Sequence, residues 1–200
     1  MMLQDLLNSS SYQDNIKGLS QLLRKKTFSN SELLNMLRQG NRLVVGEFLL
    51  RYRHFNKQNL SLIHHFVLQN LYDEDKLFVS DLIEFATNYS WPLPLQKCYT
   101  FLKQCGGDDD YPQIAFLNHL LFFRTDVWDE KLEDLLNAIV DNNCCSIYAQ
   151  LRACMLLYKF TRKKRYVSNV IAYCSIDDYC KVLLNNIIND ILRFEDACFV

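Results

Sequence analysis

A spacing of 35 residues recurs among the apolar positions in the last two-thirds of this 200-residue chain. Three columns of residues share it: Val79, Ile114, Ala149 and Leu184; Ala86, Leu121, Leu156 and Ile191; Phe66, Phe101, Leu136 and Ile171. A repeat of roughly 20–50 residues is typical of solenoids, in which each unit is one supersecondary element packed on its neighbours. The spacing therefore favours an architecture built from similar, consecutive units.

The apolar pattern inside each unit predicts α-helices. Val79, Leu82, Ile83 and Ala86 follow the i, i+3, i+4, i+7 order of one buried helical face. The chain has only 5 Gly and 3 Pro, which leaves few residues for the turns of a β-structure. We predict helices near residues 12–25, 31–38, 42–54, 60–71, 75–89, 94–104, 112–123, 130–141, 145–160, 165–174 and 177–194.

Residues between these segments have the chemistry of helix ends. Ser29 and Glu32 have the spacing of a capping box, in which a hydroxyl and a carboxylate bind the free amides of a first turn. Asp129 and Ser175 are expected to cap later helices. The Gly106-Gly107 pair, followed by three aspartates and Pro112, predicts a helix end, a loop and a new helix.

The predicted fold is all-α. We expect a right-handed stack of antiparallel helix pairs, an α/α solenoid comparable to HEAT or TPR superhelices, within one domain of residues 1–200. Residues 56–200 would form pairs of about 35 residues, whereas residues 1–55 are helical but irregular, as terminal units often are. The alternative is an irregular helical bundle, because chance matches are common when 50% of the residues are hydrophobic. The Trp, Leu-Gly and Tyr positions of tetratricopeptide repeats are not reproduced.

Charge and hydropathy narrow the possible partners. With 22 basic and 23 acidic residues, the net charge of −1 gives no general field for nucleic acid or anionic lipid. The basic runs 24–26 and 162–165 are interpreted as solvated helix ends, with a nucleic-acid contact as the alternative. No signal peptide and no apolar run of about 18–20 residues is visible, so we expect a cytoplasmic protein without a membrane partner.

The sequence has no motif of a catalytic, cofactor or metal site. The 8 cysteines do not have the paired spacing of zinc ligands, and in a reducing compartment they are expected to be free, mostly buried thiols. No nucleophile elbow, phosphate loop or dinucleotide fingerprint occurs. We therefore expect no enzyme activity, no cofactor and no metal.

The ends of the second helices carry further columns with the same spacing. Tyr, Trp and Arg are the residues that most often dominate protein interfaces. We therefore predict a non-catalytic module that binds a protein or peptide through its helical-repeat surface, as an adaptor or an immunity-type neutralising protein does. The predicted contact residues are Tyr89, Phe123, Arg124, Tyr158, Lys159 and Arg193.

Two other functional classes stay open from the sequence. A small-molecule carrier or enzyme would have a deep apolar pocket between helices, with a few converging polar groups. A thiol-based redox sensor would have an accessible, reactive cysteine.

Overall fold

A computed structural model describes Leu6 and residues 9–122 and 128–197 of the chain, with side chains as far as Asn189. Within these residues the chain forms eleven α-helices and one 3-10 turn, and no β-strand. The prediction of an all-α fold is therefore confirmed. The helices are α1 Tyr12–Arg24, α2 Asn30–Gln39, α3 Arg42–Arg51, α4 Lys57–Asn70, α5 Lys76–Asn88, α6 Leu95–Lys103, α7 Asp110–Phe122, α8 Glu130–Asp141, α9 Ile147–Thr161, α10 Lys164–Ile176 and α11 Asp178–Ala197.

Most of the predicted helix ends are formed by the residues expected to form them. Ser29 Oγ accepts a hydrogen bond from the Glu32 amide at 3.3 Å, and the Glu32 carboxylate accepts one from the Ser29 amide at 3.0 Å. Asp129 Oδ1 accepts from the Leu132 amide at 2.7 Å, which begins α8. The prediction for Ser175 is wrong, because this residue lies inside α10 and its hydroxyl donates to the carbonyl of Ile171.

The chain divides into two compact units, residues 1–91 and residues 92–200. In unit 1, α3 packs against both α1 and α5, while α2 packs against α4. The helices thus alternate between two layers, and α4 also contacts α5. Between the layers lie fully buried side chains, among them Leu37, Phe48, Ile63, Leu82 and Phe85.

Unit 2 consists of three helix pairs: α6 with α7, α8 with α9, and α10 with α11. As in a stack, α6 packs against α8 and α7 packs against α9. However, α11 also packs against α7, which belongs to the pair two places earlier. In a linear solenoid each unit contacts only its neighbours. The regular stack is therefore not confirmed, and the irregular helical bundle fits the described residues.

The last helix pair also departs from the repeat in its burial. The first helices of the pairs begin at residues 57, 95, 130 and 164, which keeps the step near 35 residues. Phe66, Phe101 and Leu136 of one repeat column are buried, but Ile171 of the same column is 62% exposed. Within the described range, no helix is both long and apolar enough to cross a lipid bilayer.

Candidate functional site

The C-terminal end of α9 places an exposed aromatic ring beside a cation. The residue after the helix, Arg162, has φ of 56° and ψ of 16°, and its amide donates to the carbonyl of Tyr158 at 2.9 Å. A left-handed residue of this kind ends a helix and reverses the chain direction. The Arg162 guanidinium consequently lies 5.7 Å from the centre of the Tyr158 ring, within cation–π range. The Tyr158 side chain is 38% exposed.

A second aromatic pair lies at the same end of α9. The rings of Phe160 and Trp128 stack with their centres 4.3 Å apart. The Lys159 ammonium is 5.7 Å from the Phe160 ring and donates to the carbonyl of Leu121 in α7 at 3.3 Å. Lys159 is therefore held in place by a contact between α7 and α9. Tyr158 and Phe160 are two positions apart and project from different faces of the helix, so the two aromatic pairs lie on either side of its end. We refer to the five residues around this helix end, Trp128, Tyr158, Lys159, Phe160 and Arg162, as the aromatic–basic cluster.

The part of the chain that carries four of the five cluster residues is rich in cations. Residues 142–176 contain six Lys or Arg and no Asp or Glu, although the whole chain is nearly neutral. Two of these cations are bound by α8: Lys163 pairs with Glu133 at 3.1 Å, and Arg165 donates to Asn137 at 2.9 Å. Arg162 and Lys164 are exposed to solvent. The cluster thus combines flat aromatic rings with positive charge at a surface.

Two of the six predicted contact residues, Tyr158 and Lys159, belong to the cluster, and they are adjacent in the sequence. Tyr89 caps the end of α5 in unit 1, where it is half-buried against the rings of Phe85 and Trp91. Phe123 and Arg124 lie outside the described residues. Arg193 lies in α11, but its side chain also lies outside the described part of the chain. The role of these six residues in binding stays a prediction.

Sequence reasoning missed three members of the cluster. Trp128 and Phe160 are 32 residues apart and fall outside the 35-residue columns. Arg162 belongs to the basic run that we interpreted as a solvated helix end. A signal was nevertheless present, because the absence of every acidic residue between Asp141 and Asp177 marks this region as unusual.

Two surface grooves could in principle receive a small molecule. The groove between α1 and α3 has a volume of about 260 Å³ and is lined by Tyr12, Ile16 and Leu43 among others. The groove between α6 and α8 has a volume of about 210 Å³. Both are smaller than the roughly 300–1,000 Å³ of typical ligand pockets. Within the described residues, no group of three or more His, Cys, Asp or Glu side chains is arranged to hold a metal ion.

No family model, curated protein or solved structure matches this chain. Only the chemistry of its own residues therefore indicates a function. A guanidinium beside an aromatic ring offers several N–H donors in a fixed fork, which matches the geometry of a carboxylate. The exposed ring offers a rigid apolar contact next to it. Together they can bind an acidic group that has apolar neighbours.

Proposed function

We propose that this chain is a non-catalytic binding module for an acidic segment of another protein, and that the aromatic–basic cluster is its contact surface. The observation that supports this proposal is the position of the Arg162 guanidinium beside exposed Tyr158, in a stretch of 35 residues without a carboxylate. A partner that supplies carboxylates would compensate the positive charge of this region. An adaptor or a neutralising protein would use such a contact.

The residue types of the cluster favour a protein as the partner. Trp, Tyr and Arg are enriched among the few interface residues that contribute most of the binding energy. The stacking of Trp128 on Phe160 and the hydrogen bond from Lys159 to α7 restrict side chains that would otherwise have to be ordered on binding. Side chains ordered in advance lower the entropic cost of association.

Nucleic acid is the less suitable partner for this surface. A nucleic-acid-binding domain usually has a pI above about 9 and a continuous basic stripe. The isoelectric point of this chain is near 6.4, and two cations of the basic run are already bound by α8. A few cations next to aromatic rings fit short acidic peptide segments better than a long phosphate backbone.

The experiment compares the full chain with the double variant Tyr158→Ala, Arg162→Gly. Glycine adopts the left-handed conformation of residue 162 without strain, so the variant should retain the helix end while losing the charge. Peptides are selected on the wild-type chain from a random display library, and their affinities are measured by fluorescence anisotropy. We expect selected peptides to be rich in Asp and Glu and to bind the variant at least about tenfold more weakly.

The matched control removes one exposed tyrosine and one exposed cation from unit 1. Tyr12 and Lys17 of α1 are 66% and 67% exposed, and the variant Tyr12→Ala, Lys17→Ala should bind the selected peptides like the wild type. Equal binding by the cluster variant would show that the cluster is not the contact surface. Preferential binding of single-stranded RNA or DNA over the peptides would overturn the proposed class of partner.

A further inference from the structure

Two cysteines from different loops of unit 2 lie side by side. Cys105 follows the end of α6, and Cys145 lies in the loop between α8 and α9, 40 residues later. Both cysteines line the groove between α6 and α8, and the Cys105 thiol is near enough to the Cys145 thiol to raise its pKa. The Asn142 side-chain amide donates to Cys105 Sγ at 3.3 Å, which adds a second link between the two loops.

The backbone of both loops is held by hydrogen bonds next to the two cysteines. In the α8–α9 loop, the carbonyl of Asn142 accepts from the Cys145 amide at 3.0 Å and from the Gln150 side chain at 2.9 Å. In the α6–α7 loop, the carbonyl of Gln104 accepts from the Gln113 side chain at 2.7 Å. The two cysteines thus lie on loops whose backbone is held by hydrogen bonds on both sides of the groove.

The two thiols differ in their access to solvent. Cys105 is half-buried and lines the groove of about 210 Å³ between α6 and α8. Cys145 is only 7% exposed. Burial, and next the neighbouring Cys105 thiol, raises the pKa of Cys145 above the usual thiol value. A reagent from solution therefore meets Cys105 first, with Cys145 behind it as the second thiol.

We propose that Cys105 and Cys145 are a redox modification site, which hydrogen peroxide converts into a reversible disulfide between the α6–α7 and α8–α9 loops. The Cys105 thiolate attacks one peroxide oxygen, so that an S–O bond forms, the O–O bond breaks, and hydroxide leaves and is protonated to water. Cys145 then attacks the Cys105 sulfenic acid. The S–S bond forms, the S–O bond breaks, and the hydroxide takes the Cys145 proton. One peroxide and two thiols give one disulfide and two waters.

The test uses the full, fully reduced chain and one equivalent of hydrogen peroxide. The remaining thiols are alkylated under denaturing conditions, and the products are mapped as peptides without reduction by mass spectrometry. We expect the number of free thiols to fall from 8 to 6 and a linked peptide to join Cys105 and Cys145. Dithiothreitol should restore all 8 thiols. The disulfide closes a loop of 40 residues, so the oxidised chain should also have the higher Tm.

Three single variants make the assignment specific. Cys105→Ser and Cys145→Ser should each abolish the crosslink, whereas Cys144→Ser, next to Cys145 but exposed, should leave it unchanged. Thermal unfolding of each reduced variant checks that it is folded. The proposal is overturned if all 8 thiols stay alkylatable, if Cys144 replaces Cys145 in the linked peptide, or if Cys105 oxidises further without a crosslink. None of these results bears on the aromatic–basic cluster.

Discussion

The Asp81 carboxylate of α5 lies against the backbone of α3, where Gly46 has no side chain. A Cβ atom at Gly46 would lie only 2.0 Å from Asp81 Oδ2, so a larger residue would displace the carboxylate. Burial, followed by the negative charges of Glu84, Glu47 and Asp75, raises the pKa of Asp81 from 3.8 to about 7. The Asp81 carboxyl group therefore keeps its proton up to about pH 7 in the folded chain.

This environment makes the stability of the protein depend on pH. The pKa of Asp81 is higher in the folded than in the unfolded chain, so folded chains bind the proton more tightly. Protonated Asp81 makes its full contribution to the free energy of unfolding below about pH 4, and this contribution is lost as the pH rises through about 7. The variant Asp81→Asn keeps the shape of the side chain and cannot ionise. We expect it to be more stable than the wild type at pH 8 by about 1–2 kcal/mol, after allowing for solvent screening.

Urea unfolding at several pH values between 3.5 and 8 measures this difference. The gap between variant and wild type should narrow steadily as the pH falls below about 7 and close only below about pH 4, where Asp81 is protonated in both the folded and the unfolded chain. The control is Glu74→Gln, which neutralises an exposed carboxylate outside this contact and should give a gap that changes little with pH. A constant gap for Asp81→Asn across the range would show that Asp81 does not titrate as proposed.

At the level of single residues, the sequence predicted hydrogen bonds between residues three or four positions apart. The bonds between Ser29 and Glu32 and between Asp129 and Leu132 are of this kind. Contacts between residues 30 to 40 positions apart were not predicted. The approach of Asp81 to Gly46 is one example, and the stacking of Trp128 on Phe160 is another, since both depend on how helices pack.

Whole helices could be predicted to within a few residues, because hydrophobic period and caps are local properties. The packing of the helices against one another could be predicted only in part. The alternation of contacts along α6 to α9 follows from the repeat, but the contact of α11 with α7 does not. The exposure of Ile171 has the same cause, since the last pair does not reproduce the packing of the earlier ones. An apolar residue in a repeat column shows which face is apolar, and not whether a neighbour covers it.

The capping box of α2 gives a prediction for one helix. Ser29→Ala removes the oxygen that accepts from the Glu32 amide and should destabilise the chain by about 1 kcal/mol, a typical value for an N-cap serine. The carboxylate bond to the Ser29 amide should persist, because the Lys25 ammonium and that amide hold the pKa of Glu32 down to about 2. Chemical unfolding at neutral pH measures the change in the free energy of unfolding.

A matched serine lies at an exposed position in the second turn of α4. Ser61→Ala changes the same atoms away from a helix end and should alter stability by no more than about 0.5 kcal/mol, in the direction of greater stability. Equal effects of the two substitutions would contradict a specific role of the capping box.

At the scale of the whole chain, each unit has its own buried core. Val45 and Phe48 of α3 and Phe85 of α5 are completely buried in unit 1. Phe116 of α7 and Leu151 of α9 are completely buried in unit 2. The sequence predicted one domain of residues 1–200, and this stays a prediction. A compact unit with its own core could in principle fold by itself, so the number of domains can be measured.

We therefore predict that residues 1–91 fold without the rest of the chain. Expressed alone, this fragment should be helical by circular dichroism and should unfold in one cooperative thermal transition, because α3 keeps both of its packing partners, α1 and α5. The control fragment ends at His54, between α3 and α4. It leaves α3 without α5 and α2 without α4, so no cooperative transition is expected. If residues 1–91 also lacked a transition, the core of unit 1 would depend on residues after 91, as in a single continuous domain.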